Sequence, residues 1–143
     1  MTPQDPALRR VGRYWAALQA RDWSLAHAQL APDAVCRWWA TGERFEGADA
    51  VVRVNAEYPE GWTIFLLELE TLGTDQVLSL VRVEQGGQSF WTNSRFRLGA
   101  AGIQSIDEYW CDEAQAPAWR AGLARSMGKD ERPGLSLDLA AWA

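Results

Sequence analysis

Apolar residues near the start of the chain recur at helical spacing. Leu8, Val11, Trp15 and Leu18 form one stripe, with Tyr14 at its edge. Asp5 before Pro6 supplies an N-cap and a first helical residue whose missing N–H is not needed there. The pattern predicts a helix of about 13 residues ending near Ala20. Asp22 caps a second helix over 23–30, stopped by Pro32. Residues 34–39 read as a strand, Thr41-Gly42 turns the chain, and 43–46 returns as a short strand. Gly47 opens a third helix through Val51, Val52, Val54 and Tyr58, ended by Pro59-Glu60-Gly61.

The pattern then changes to strands. Segments 62–71, 76–84, 88–98 and 103–111 are separated by Gly73-Thr74, Gly86-Gly87 and 99–102. Short loops containing glycine join antiparallel neighbours. Three helices and a short hairpin followed by a four-strand meander predict an α+β fold, with helices on one face of a mostly antiparallel sheet. That unit is expected to span 1–112. The Ala-, Pro- and Gly-rich remainder, 113–143, is expected to be a C-terminal extension that packs on the domain or on a partner subunit. Within it, 119–127 reads as a short helix.

Composition narrows the classes. A chain of 143 residues is the size of one domain, and 48% hydrophobic residues suffice for a core. No apolar run approaches the roughly 18 residues of a membrane span. Met1-Thr2-Pro3-Gln4-Asp5-Pro6 lacks a basic region followed by an apolar stretch, so no secretory signal and a cytoplasmic setting are expected. A net charge of −5 argues against a nucleic-acid partner. Two cysteines, Cys36 and Cys111, make no disulfide framework, and His27 as the only histidine leaves neither a zinc cluster nor a Ser-His-Asp triad. No metal, no cofactor and no nucleotide loop are therefore expected. The 9 Trp among 16 aromatics point either to a Trp-rich core or to a core plus a lined pocket or interface.

Three stretches in this order resemble a known superfamily. They are 13–23 (Arg-Tyr-Trp-Ala-Ala-Leu-Gln-Ala-Arg-Asp-Trp), then 31–35 with 42–47 (Gly-Glu-Arg-Phe-Glu-Gly), then Phe96-Arg97-Leu98 to Gly102-Ile103 closing on Glu108-Tyr109-Trp110. Over residues 7–111 the chain resembles the nuclear transport factor 2-like superfamily, which includes ketosteroid isomerases and SnoaL-like polyketide cyclases. The resemblance implies a cone: a curved sheet wrapped around three N-terminal helices, with an apolar cavity inside. It implies a small hydrophobic ligand held by Trp15, Trp38, Phe45, Tyr58, Trp62, Ser94, Phe96 and Tyr109, and a homodimer through the outer sheet face. Fold alone does not settle function. Ketosteroid isomerase uses an Asp base, with a Tyr and a protonated Asp holding the enolate oxygen. Tyr14 matches the Tyr, but Trp38 and Ser94 stand at the other two positions, so isomerase chemistry of that kind is not expected.

Turn geometry sets an expected register. Pairing Leu98 with Ile103 across the last turn puts Ser94 opposite Asp107, and residues directly opposite share a sheet face. The resemblance puts Ser94 on the cavity side, so the expected inner row is Glu68, Ser79, Ser94 and Asp107, with Tyr109 also inward. The outer face then carries Leu78, Leu80, Trp91, Asn93, Arg95, Glu108 and Trp110, apolar enough to need covering by a second subunit or by the extension. A bulge in the long third strand would instead turn Glu68 outward. On this register Asp107 is a carboxylate on an apolar wall, either a general acid/base assisted by Tyr14 or a structural hydrogen-bonding group. Two functions follow: a small-molecule-binding domain, or a cofactor-independent isomerase, cyclase or hydrolase using Asp107. A subunit whose dimer surface is its function is a third.

Overall fold

The computed structural model describes residues 5–128 and 134–142. Helix α1, Pro6–Gln19, starts where Asp5 accepts hydrogen bonds from the Ala7 and Leu8 amides at 2.8 and 3.1 Å; such a cap contributes about 1 kcal/mol. It buries Val11, Tyr14, Trp15 and Leu18, the stripe read from the spacing. Helix α2 is shorter than the pattern suggests, Trp23–Ala28, because Leu30 already pairs with Ile103. Strand β1, Leu30–Trp38, thus begins earlier and carries Pro32 through an irregular stretch between Leu30 and Val35. Strand β2, Glu43–Glu46, and helix α3, Ala48–Glu57, follow as expected.

The meander consists of β3, Trp62–Leu72, β4, Gln76–Gln85, β5, Gln88–Gly99, and β6, Gly102–Asp112. A two-residue strand β7, Leu135–Ser136, adds to the edge of β3. The sheet order is β2-β1-β6-β5-β4-β3-β7, antiparallel except between β1 and β6. The three helices and the concave face share one core, in which Val11, Leu18, Val51, Val77, Val81, Phe96, Ile103 and Ile106 are fully buried. The expected α+β cone is the observed fold.

The register of the last hairpin corrects the sequence reading. Leu98 pairs with Ile103 as expected, but Arg97 pairs with Ser105, so Gln104 is an extra residue. From there on every partner moves by one: Ser94 faces Glu108, and Arg95 faces Asp107. One residue of slip exchanges the faces of a strand. Asp107 and Tyr109 therefore point outward, and Glu108 and Trp110 inward. A second bulge lies at Leu67 in β3, where Leu66 pairs with Val81 and Glu68 with Leu80. It turns Glu68 to solvent, and the inner row runs Leu69, Ser79, Ser94 and Glu108.

The 119–127 stretch forms one 3-10 turn, Ala118–Arg120, rather than a helix, and 113–128 is exposed throughout. Without a packed apolar face, a short helix lacks its main source of stability. The end of the chain docks back on α1. The Arg13 side chain donates to the Trp142 carbonyl at 2.9 Å, and the Trp142 ring lies against Gly12, where a Cβ would overlap it.

Candidate functional site

A concavity of about 190 Å³ opens between α1, α3 and the ends of five strands. Its walls are mostly aromatic: Trp15 from α1, Trp38 from β1, Tyr58 after α3, Trp62 from β3, Phe90 from β5 and Trp110 from β6. Ile64 and Val83 complete the apolar lining, and Asn55, Thr41 and Asp112 bring polar groups. The tryptophans wall the space without filling it. Each ring is held from behind. Trp15 donates its indole N–H to Ser79 Oγ at 3.1 Å. The Arg21 guanidinium lies 3.3 Å over the Trp62 ring, bonds the Trp62 carbonyl at 2.7 Å and pairs with Glu60. Trp38 packs edge-on against Phe45 at 4.7 Å and against Trp110 at 6.4 Å.

Behind the Trp38 wall sits a buried carboxyl that the sequence reading placed outside. Glu108 Oε1 accepts from Trp38 Nε1 at 3.0 Å and from the Cys36 thiol at 3.5 Å; Oε2 accepts from Ser94 Oγ at 2.6 Å. Glu108 is 6% exposed. Burial pushes its pKa up, and the hydrogen bonds from Ser94, Trp38 and Cys36 offset part of that shift. The Trp110 N–H adds a weaker pull on the same carboxyl, yet finds no acceptor in hydrogen-bond geometry among the described residues. Burial likewise drives Cys36 and Tyr14 well above their ordinary values, with the neighbouring Glu108 charge raising both further. Neither is an accessible nucleophile or base at neutral pH.

Of the site residues expected from the sequence, Trp15, Trp38, Tyr58 and Trp62 line the concavity. Tyr14 and Phe96 do not. They pack edge-on with Trp15 inside the core, at 5.7 and 6.0 Å. Phe45 stands behind Trp38, and Ser94 lies beneath Glu108. Asp107 is on the outer face, where Arg37 and the Trp39 indole both donate to its Oδ1 at 3.0 Å. Tyr109 is 56% exposed there, its ring parallel to that of Trp39. The sequence reading missed Glu108, Phe90 and Trp110. A signal for the first and last was present: Ile103 and Ile106 are both large aliphatic residues suited to the core, and three residues apart on a strand they share a face only across a bulge, as their full burial bears out.

Among the described residues no group of three or more His, Cys, Asp or Glu could hold a metal ion. No helix of the described chain is long and apolar enough to cross a membrane.

The family described as the SnoaL-like domain matches residues 11–110. Among solved structures, the chain is similar to a provisional ketosteroid isomerase from Kribbella flavida, with a TM-score of 0.75 at 21% identity over 89% of this chain and 95% of that one. An NTF-2 like protein of unknown function from Burkholderia xenovorans superposes with a TM-score of 0.68 at 20% identity, over 88% of this chain and 100% of that one. An LEH-like epoxide hydrolase of M. tuberculosis gives 0.62 at 20% identity, over 73% and 82%. At these identities the likeness is one of fold. No curated protein matches the sequence.

Proposed function

Because the chain belongs to the SnoaL-like domain family, in a fold shared by ligand binders and by enzymes, we propose that it binds a small, hydrophobic molecule in the Trp-lined concavity. The carrying observation is the lining itself: about 190 Å³ walled by four indoles, two other aromatic rings and two aliphatic side chains. An apolar cavity of about 150 Å³ accepts benzene, so the space suits a compact ring system. Binding is favoured over catalysis because the buried acid nearby, Glu108, is not part of the lining and has both its oxygens engaged by Trp38, Cys36 and Ser94, while the carboxyl that does reach the lining, Asp112, is exposed to solvent rather than set in an apolar wall. A general acid must reach the atom it protonates. The reading needs no cofactor and no metal.

The test is a titration with 4-fluorotoluene followed by ¹⁹F NMR. The protein is expected to bind it, and Val83→Phe, which fills the concavity, to abolish binding at a stability cost of about 1–3 kcal/mol that leaves the protein folded. Equal binding by Val83→Phe overturns the reading.

A homodimer through the outer sheet face belongs to the same proposal. Trp39 and Tyr109 are 53% and 56% exposed there, and Leu78 is 37% exposed. Light scattering is expected to give twice the chain mass; a monomer removes the dimer from the proposal.

A further inference from the structure

Trp38 forms one wall of the concavity, and among the described residues its indole N–H is tethered by Glu108 alone. The ring is otherwise held by edge contacts to Phe45 and Trp110, and Trp110 in turn packs on Phe90 at 5.6 Å. Three of the rings lining the site thus form a contiguous aromatic wall: Trp38, Trp110 and Phe90. Aromatic contacts of this kind tolerate rotation and sliding better than a directed hydrogen bond does. The tether is short, 3.0 Å from Nε1 to Oε1. It is itself aimed by the 2.6 Å bond from Ser94 to the other carboxyl oxygen, and Ser94 is in turn 3.2 Å from Thr92 Oγ1. Glu108 and Ser94 are buried and do not line the space. Any effect they have on a ligand there passes through the wall.

We infer that Glu108 is a positioning residue for the binding site: it fixes the Trp38 indole, and thereby the whole Trp38–Trp110–Phe90 wall, in the orientation that accepts the ligand. This inference rests on the binding reading proposed above. It goes further by assigning a role in affinity to a side chain that never touches the ligand, and it replaces the acid/base role expected for the neighbouring Asp107.

The experiment is a double-mutant cycle on 4-fluorotoluene affinity. Trp38→Phe removes the N–H and keeps an aromatic wall. Glu108→Met keeps the volume and removes the acceptor. Each is expected to weaken binding by about tenfold, and the pair by no more than the worse single change. Glu108→Gln restores an acceptor and should recover most of the affinity lost in Glu108→Met. Merely structural roles for the two residues would give additive losses. Ser94→Ala leaves Glu108 in place and frees its other oxygen, so it carries the test should Glu108→Met not fold. It is expected to weaken binding several-fold in the Trp38 protein and not at all in Trp38→Phe. Additive losses, no recovery by Gln, or unchanged affinity in Ser94→Ala overturn the inference. If the unaltered protein fails to bind the probe, or Val83→Phe binds it equally, the binding reading itself falls, and the inference with it.

Discussion

Glu108→Ala is expected to destabilise the fold by about 3 kcal/mol, measured by urea unfolding. The change strands the Trp38 N–H and the Ser94 hydroxyl, two buried groups that now bond the carboxyl. An unsatisfied buried donor costs about 1–3 kcal/mol, and the vacated volume adds a cavity term. Relief of the desolvated charge works in the opposite direction, so Glu108→Gln separates the two effects. Burial raises the pKa of Glu108 in the folded state above its unfolded value of 4.5. A carboxyl of that kind favours folding fully below the unfolded pKa, and the contribution is lost as pH rises through the folded pKa. The unaltered protein should therefore lose stability, relative to Glu108→Gln, as pH increases from about 4.5 upward. Glu60, held down by its hydrogen bonds from Arg21, slopes the other way, but it is present in both proteins and cancels in the difference. Parallel pH profiles for the two would refute this account.

Gly102→Ala should cost about 3 kcal/mol or more by the same measurement. Gly102 adopts φ +124, a conformation closed to L side chains without strain. Such strain alone is worth about 1–3 kcal/mol. A Cβ there would also come within 2.8 Å of the Gln29 carbonyl oxygen and 3.1 Å of the Leu30 carbonyl carbon. Both are backbone atoms, and neither can swing aside. The adjacent Ile103 amide donates to the same Gln29 oxygen at 2.9 Å, so relief by backbone movement would pull the turn away from β1. A loss under about 1 kcal/mol would show that the β5–β6 turn is free to shift.

The two positions bracket the feature that most changed the reading of this chain. Gly102 starts β6 and Gln104 is the added residue in it. Before that residue the pairing follows from the turn; beyond it every side chain has changed faces. Asp107 and Glu108 are adjacent carboxylates, and nothing in their own chemistry says which one is buried. Local periodicity located the helices well because a helical stripe averages over several turns, and Leu8, Val11, Trp15 and Leu18 agree with one another. The concavity was legible in part for the same reason. Trp15, Trp38 and Trp62 lie on elements whose inward faces are unambiguous, whereas Trp110 lies beyond the bulge.

The order of helices and strands from α1 to β6, the three tight turns and the N-cap of α1 were determined by the sequence itself. They depend on propensities and spacings over a few residues, which act before any distant contact forms. The tertiary structure alone decided which acid is buried, that Trp110 joins the cavity wall, and where the end of the chain docks. Those depend on a one-residue insertion in a strand and on contacts such as Trp142 against Gly12, formed between groups far apart along the chain. A period of two carries no memory of its phase across a bulge.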